Sequence, residues 1–282
     1  MALALAATAL ALVAPAPGWS LATTGLGGGT VWTGSIPNTF VADDRSSAVY
    51  LPPGYDPARR YPVVYLLHGM RGSPSSIYDS LRLADVADTL IDAGAQPFIA
   101  VVPVAGPVVH PDAGEWAGVW EDYLVDDVVP WTDSHLATLA SPGDRALDGL
   151  CAGGFGAVDI GLRHPGLFGT LGSWQGYFAP VFRDGPFVHA TRADLAAHDP
   201  ALLLRREVAA LRRDDVRFFL SAGGNHGRVL RRWTVAFAGE LSRLGLRHEL
   251  WLFPAHRRGG FWRATVQPAL AYAVAAFPAE AR

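Results

Sequence analysis

The sequence predicts an α/β protein with a mainly parallel central sheet and helices on both faces. Strand-like and helix-like segments alternate along the chain, which is typical of a parallel sheet with crossover helices. Two strand-like segments, 62–67 and 98–103, are continuous apolar runs, as expected of central strands buried on both faces. A glycine-rich turn, 149–153, separates another strand-like segment from a helix-like one.

Hydrophobic periodicity and turn residues place the other elements. The pattern predicts further strands over 46–51, 145–149, 167–173, 216–222 and 248–253. It predicts helices over 120–136, 153–164, 228–244 and 265–277. Acidic residues near the start of the first of these helices and Gly245 after the third are typical of helix ends.

Length and composition restrict the class of protein. The chain has 282 residues, half of them apolar, which is enough for a sizeable buried core. A net charge of -3 indicates neither a nucleic-acid partner nor a basic patch for a membrane surface. The single cysteine, Cys151, excludes an intramolecular disulfide. The sequence has neither metal-ligand spacing nor a dinucleotide or phosphate motif, so we expect no metal and no cofactor.

The N-terminus resembles a secretion signal. Residues 1–13 form an apolar run that is shorter than the roughly 18–20 residues of a membrane span, and Ser20-Leu21-Ala22 offers small residues to a signal peptidase. An uncleaved anchor or a tail is the alternative, since no basic segment precedes the run. We therefore predict a leader over 1–22, an N-terminal extension over 23–45 with a glycine-rich joint at 25–29, and a main domain over 46–282. The protein is expected to be secreted or associated with the cell envelope.

The segment Gly149-Leu150-Cys151-Ala152-Gly153 has the pattern of a nucleophile elbow. In an elbow the nucleophile lies on a tight turn between a strand and a helix, and small neighbours let the turn close. The N–H of Ala152 would then point toward the reacting carbonyl, and the start of the next helix would favour a thiolate. The alternative is a glycine-rich turn that holds a buried, unreactive thiol. The strand before Cys151 and the helix after it favour the elbow.

The loop after the strand 62–67 is where a second oxyanion N–H is expected. His68-Gly69-Met70-Arg71 occupies this position, and we assign the N–H to Met70, with Arg71 as the alternative. His68 is predicted to be a structural histidine, because it precedes the nucleophile in the chain.

The catalytic base is expected after the last strand. His256 occupies this position, and His226 is its competitor. The acid has no obvious match, because 216–239 contains no carboxylate and Glu240 lies too far along a helix. A thiol beside an imidazolium depends less on an acid, and papain-like enzymes orient the base with an Asn. We therefore predict that Asn225, or less favourably His226, orients the base.

Several segments together carry a resemblance to a known family. They are VYLPPGY (49–55), YPVVYLLHG (61–69), WEDYL (120–124), DGLCAGGFGA (148–157), HPGLF (164–168), and FPAH (253–256) with Trp262. From about Val49 to Phe277 the chain resembles the esterase D-like and mycolyltransferase branch of the α/β-hydrolases, with Cys151 at the position of the elbow serine. The resemblance implies an α/β-hydrolase fold and acyl-transfer chemistry, and it implies that Arg71 borders the acyl-acceptor site.

The elbow and the resemblance predict an esterase, thioesterase or acyltransferase with a Cys–His core. The expected substrate is a small-molecule or lipid acyl ester, with a glycan as a candidate acceptor. Trp174 and Gln175 are candidate substrate contacts, because they follow a strand at the end where ligands bind in such sheets. One alternative is a binding protein that kept the fold and lost the chemistry, which the missing acid favours. Another is an enzyme like dienelactone hydrolase, which shares a G-x-C-x-G-G elbow, although segments 66–69 and 120–122 argue against it.

Overall fold

The computed structural model describes residues 13–42, 45–106, 116–180, 187–223, 228–254 and 260–279. The predicted base His256, its competitor His226 and the predicted orienting residue Asn225 lie outside the described residues. The other predicted site residues lie within them.

A nine-stranded sheet runs through the described part of the chain. Its strands are β1 (Ser20–Thr24), β2 (Thr30–Gly34), β3 (Ser47–Leu51), β4 (Val63–Leu67), β5 (Ile99–Val102), β6 (Arg145–Leu150), β7 (Thr170–Trp174), β8 (Arg217–Gly223) and β9 (His248–Phe253). The order in the sheet is β1-β2-β3-β5-β4-β6-β7-β8-β9. The first three pairings are antiparallel, and all pairings from β5 to β9 are parallel. The predicted mainly parallel sheet is confirmed.

Helices cover both faces of this sheet. They are α1 (Ser75–Tyr78), α2 (Leu83–Asp92), α3 (Val119–Asp122), α4 (Val129–His135), α5 (Ala152–Arg163), α6 (Arg192–Ala197), α7 (Pro200–Arg213), α8 (Arg228–Arg243) and α9 (Gly260–Ala276). One apolar core lies between the sheet and α2 and α9, and a larger one lies between the sheet and α3, α4, α5, α7 and α8. Among the described helices, none has the length and apolar character needed to cross a membrane.

The predicted helix over 120–136 forms as three consecutive helical pieces. A π-helical turn, Tyr123–Val128, connects α3 to α4. Pro130 lies in the first turn of α4 and has no N–H to donate to the carbonyl four residues earlier. The π-helical turn, which is wider than an α-helical turn, therefore lies just before Pro130, where the α-helical hydrogen-bond pattern is interrupted.

The glycine-rich segment 25–29 is a hairpin turn within the sheet, not the predicted joint. It connects β1 to β2, and the side chain of Asp88 on α2 holds it in place. One carboxyl oxygen of Asp88 accepts the N–H groups of Gly27 at 2.7 Å and Gly29 at 3.1 Å, and the other accepts the hydroxyl of Tyr50 at 2.7 Å. The predicted N-terminal extension, 23–45, thus contributes a strand, β2, to the same sheet.

Trp19 ties the start of β1 to the rest of the chain. Its side chain is 8% exposed and stacks on Trp131 with ring centroids 5.1 Å apart. A side chain on Gly34 would overlap the Trp19 ring, because its Cβ would lie 2.4 Å from a ring carbon. Cleavage at the small residues around Ala22 would cut β1 and remove this packed tryptophan.

Candidate active site

Cys151 lies between the end of β6 and the first residue of α5. Its φ of 56° and ψ of -114° fall outside the regions that non-glycine residues usually occupy. Such a conformation costs about 1–3 kcal/mol and is found mainly where function requires it. Its N–H donates to the carbonyl of Trp174 at 2.9 Å, and its carbonyl accepts the N–H of Gly154 at 2.9 Å and of Phe155 at 3.1 Å. The neighbouring strand and the first turn of α5 therefore hold Cys151 in the strained turn.

The glycines on either side of Cys151 are required by close backbone contacts. A Cβ on Gly149 would lie 2.2 Å from the carbonyl oxygen of Gly153. A Cβ on Gly153 would lie 2.1 Å from the carbonyl oxygen of Leu67 at the end of β4. Both distances are far shorter than van der Waals contact. The strand–turn–helix geometry thus needs glycine at the two positions where the sequence has it.

The predicted oxyanion residues Met70 and Ala152 lie near each other beside Cys151. A Cβ on Gly69 would be 3.4 Å from the Cβ of Cys151, so the loop after β4 runs directly against the elbow. Met70 is half-buried and packs against the apolar cluster that contains Ala152. The structure therefore brings Met70 and Ala152 together beside Cys151. Arg71 follows in the same loop with an exposed side chain and a φ of 58°.

His68 is a buried structural histidine, as predicted. Its Nε2 accepts the N–H of Ala105 at 3.2 Å, so the neutral ring carries its proton on Nδ1 and donates to the carbonyl of Gly69 at 2.9 Å. The carbonyl of His68 accepts the indole N–H of Trp116 at 2.9 Å. Burial lowers the pKa of His68 to about 4. The ring stays neutral near pH 7 and fixes the loop that carries Met70.

A cavity of about 530 Å³ lies next to the elbow. The α1 segment and the first turn of α9 contribute walls, and Leu150, the residue before Cys151, contributes to its lining. The described residues that line it are Ser76, Ser80, Leu81, Leu150, Gly260, Trp262 and Arg263. Arg263 connects the two walls, since its Nε donates to the carbonyl of Ser80 at 3.3 Å. This cavity is the candidate substrate cleft.

Comparison with known proteins gives the family. Residues 39–259 match the model of the “Putative esterase” family. The chain belongs to this esterase family. The chain is 33% identical over 141 residues to an endo-1,4-beta-xylanase/feruloyl esterase of Xylanibacter ruminicola, which covers 47% of this chain and 19% of that protein. It is 31% identical over 157 residues to an esterase of Mycobacterium tuberculosis, which covers 54% of this chain and 33% of that protein.

Solved structures of esterases share the fold. A ferulic acid esterase superposes with a TM-score of 0.77 at 21% identity, covering 88% of this chain and 99% of the other. An S-formylglutathione hydrolase from Agrobacterium tumefaciens superposes with a TM-score of 0.72 at 17% identity, covering 92% and 99%. The α/β-hydrolase fold predicted from the sequence is thereby confirmed.

The structure does not support the substrate contact predicted for Trp174 in this esterase-family chain. Trp174 pairs with Leu150 and Ser221 on the neighbouring strands, and its side chain is fully buried in the core on the α9 side of the sheet. Strand residues alternate between faces, and this alternation turns Trp174 into the core.

Gln175, the next residue, is half-buried and has a φ of 52°. Its side-chain oxygen accepts the N–H of Gly223 at 3.3 Å, and its own N–H donates to the carbonyl of Ser221 at 2.7 Å. Gln175 thus holds the end of β8, directly before the segment that contains Asn225. The described contacts of Gln175 are structural.

Asp148 is a feature of the esterase elbow that the sequence reasoning missed. It lies three residues before Cys151, is fully buried, and has no hydrogen-bond partner on either carboxyl oxygen among the described residues. Burial, opposed by the neighbouring indole of Trp174, raises the pKa of Asp148 to about 8. Asp148 therefore carries its proton at neutral pH. The signal in the sequence was an acid that follows the apolar residues Ala146 and Leu147 in the predicted strand before Cys151.

Replacing Asp148 with asparagine is expected to change how stability depends on pH. The pKa is about 8 in the folded state and about 4 in the unfolded chain, so the folded carboxyl destabilises the protein increasingly as the pH rises between these values. We expect D148N to gain stability relative to the wild type by about 1.4 kcal/mol per pH unit between pH 5 and 7. Urea unfolding of both proteins at pH 5, 6 and 7 measures this gain. D92N, which alters an exposed carboxyl on α2, is the control, and its stability relative to the wild type should not change with pH. The same lack of pH dependence in D148N would contradict a protonated Asp148.

A second polar network missed from the sequence lies on the opposite face of the sheet. Glu121 on α3 binds Arg163 and His164 at 2.8 Å each, and Asp159 on α5 binds His198 at 2.7 Å. Glu121, Asp159 and His198 also place donor atoms within 4.8 Å of one another, which is close enough for a metal ion. The ion pair with Arg163 occupies one of these carboxylates with a cation from the chain itself. We therefore interpret the network as a structural tie between α3, α5 and the end of α6.

Proposed function

We propose that this esterase-family protein is a carboxylester hydrolase whose nucleophile is Cys151. The observation that carries the proposal is the strained backbone at Cys151, held between β6 and α5 and adjoining a cavity of about 530 Å³. A half-exposed thiol at the start of a twelve-residue helix is also favoured as a thiolate by the helix dipole. These features are the structural context that a nucleophile elbow requires.

The proposed reaction proceeds through a thioester. The sulfur of Cys151 attacks the ester carbonyl carbon, a C–S bond forms, and the C–O bond then breaks as the alcohol leaves with a proton. Water attacks the thioester carbonyl, the C–S bond breaks, and the acid and free thiol are released. The backbone N–H groups of Met70 and Ala152 would stabilise the oxyanion at both steps.

We propose His256 as the base that takes the thiol proton and returns it to the leaving alcohol. Asn225 is proposed to orient it, in place of the carboxylate absent from 216–239. We expect Asn225→Ala to lower kcat at least about tenfold, because a misoriented imidazole transfers protons poorly. Steady-state kinetics with a p-nitrophenyl ester measures this, with H226A as the matched variant. Unchanged turnover in N225A would remove Asn225 from the mechanism, and a larger loss in H226A would assign the role to His226.

The proposal also extends to the class of acyl group and to the acceptor that receives it. The named relatives include feruloyl esterases, which supports esters of aromatic acids as a first substrate class to test. A thioester also passes its acyl group to alcohols, amines and thiols, so transfer to a glycan, as the mycolyltransferase resemblance suggests, is the competing outcome. Arg71 is exposed beside the oxyanion loop and is the proposed acceptor contact.

We also propose that the protein is exported to the cell envelope or beyond. The apolar run 1–13 supports export. The packing of Trp19 argues for cleavage before β1 rather than at Ser20-Leu21-Ala22. N-terminal sequencing of protein recovered from culture medium would test both points.

Hydrolysis of p-nitrophenyl esters and a feruloyl ester, with and without iodoacetamide, tests the proposed activity. We expect hydrolysis that is lost in proportion to alkylation of Cys151, and alkylation that begins well below pH 8.5, the ordinary pKa of a thiol. An inert thiol together with no hydrolysis of any ester would favour the alternative of a binding protein that has lost the chemistry.

A further inference from the structure

The two neighbours of Cys151 in the chain face different surroundings. Ala152 belongs to an apolar cluster with Phe155, Tyr177 and Phe187, against which Met70 also packs. Leu150 instead packs on the α9 side and contributes to the cavity described above. Because these cluster residues are fully buried, the described space beside Cys151 lies on the cavity side.

The described lining of this cavity is mainly apolar but includes polar groups and one positive charge. Ser76 and Ser80 contribute hydroxyl groups on one wall, and Trp262 and Arg263 contribute an indole and a guanidinium on the other. No carboxylate is found among the lining residues that the structure describes, and Asp79, next to Ser80 in the chain, does not line the cavity. Arg263 is the charged group of the described lining.

Arg263 has donors available to a ligand. A guanidinium has five N–H groups, and the described contact of Arg263 uses only Nε, which donates to the carbonyl of Ser80 at 3.3 Å. The same contact anchors the side chain across the cavity. The two terminal nitrogens have no hydrogen-bond partner among the described residues, and a planar fork of this kind matches a carboxylate.

The position of the cavity points to the leaving group rather than the acyl group. The wall formed by Gly260 and Trp262 begins four residues after His256, the proposed base. A base that protonates the leaving alcohol must lie next to that alcohol. This assignment of sides rests on the proposed esterase function.

We propose that the cavity binds the alcohol part of the substrate, and that this part is a ring bearing an anionic group that Arg263 recognises. Trp262 is half-buried and offers a flat surface to the ring. The hydroxyl of Ser80 can bind a further polar group of the same ligand, whereas the hydroxyl of Ser76 already donates to the carbonyl of Ser73 at 2.6 Å.

A pair of matched esters tests the proposal. The probes are 4-acetoxybenzoate, whose leaving group carries a carboxylate, and its neutral methyl ester. We expect the ratio of kcat/KM for the anionic ester to that for the neutral ester to fall about tenfold in R263Q, to be partly retained in R263K, and to be lowered by salt. R213Q, a change to an exposed arginine at the end of α7, is the control that leaves the ratio unaltered.

Binding of the free product provides a readout that does not need turnover. We expect 4-hydroxybenzoate to bind C151A protein more tightly than methyl 4-hydroxybenzoate does, with this preference lost in C151A/R263Q, as measured by ligand-observed NMR. Absence of hydrolysis with this preference intact would overturn the proposed function and support the binding site. Hydrolysis of both esters with the same ratio in wild type and R263Q would overturn the binding site alone. A charge preference confined to esters with a carboxylate on the acyl part, such as mono-4-nitrophenyl terephthalate, would overturn the assignment of sides.

Discussion

The variant C151S is expected to hydrolyse esters more slowly than the wild-type protein, although serine is the residue usual at the elbow of related hydrolases. A serine hydroxyl must be deprotonated by a base that an acid holds and polarises, and the sequence offers no carboxylate between 216 and 239. A thiol has an ordinary pKa of about 8.5, far below that of a serine hydroxyl, and it is intrinsically more nucleophilic. We expect kcat/KM to fall by about tenfold or more in C151S and by about a thousandfold or more in C151A.

Both variants should fold normally, because each differs from cysteine by the γ atom of one half-exposed side chain. Thermal unfolding midpoints close to that of the wild type are the control for the kinetic measurements. Turnover by C151S that equals or exceeds that of the wild type would mean that the site has a complete serine triad. The proposed link between the cysteine and the missing acid would then be wrong.

The variant G153A is expected to be severely destabilised, by about 3 kcal/mol or more, since forced overlap in a packed interior must displace backbone. The new Cβ would lie 2.1 Å from the carbonyl oxygen of Leu67, and no rotamer change can relieve a backbone contact. Because β4, β6 and α5 meet at this point, we also expect loss of ester hydrolysis at temperatures where the protein remains folded.

Gly239 provides a matched control. It is an exposed glycine within α8, and a Cβ there would meet nothing within 4 Å. We expect G239A to stabilise the protein by about 0.5–1 kcal/mol, because alanine restricts the unfolded chain and favours the helix. Urea unfolding measured by circular dichroism compares the two variants. Equal stabilities would contradict the close packing at the elbow.

Much of the fold could be predicted because local sequence and global structure agree. The apolar runs of β4 and β5 are buried on both faces, as the pattern predicted. The elbow was predictable because its glycines are required by contacts within a few residues of Cys151 or with the adjacent strand β4. The hairpin at 25–29 was missed because its glycines are held by Asp88, about sixty residues later in the chain.

The side chains around the elbow were harder to predict because strand alternation and distant contacts determine them. Trp174 was predicted to contact the substrate because it lies at the end of a strand, but its side chain is buried in the core. The pairing of Asp159 with His198 joins positions 39 residues apart, and nothing in the local pattern of either residue indicates it. The cavity beside Leu150 depends on α1 and α9, which lie far apart in sequence.

The most direct measurement is to trap the acyl-enzyme. Wild-type protein and C151A are mixed with p-nitrophenyl esters of graded chain length, quenched in acid within the first turnovers, and measured by intact-protein and peptide mass spectrometry. The predicted result is a mass increase of one acyl group, located on Cys151 and absent from C151A. Acyl transfer to a different residue, or hydrolysis at the wild-type rate by C151A, would contradict Cys151 as the nucleophile.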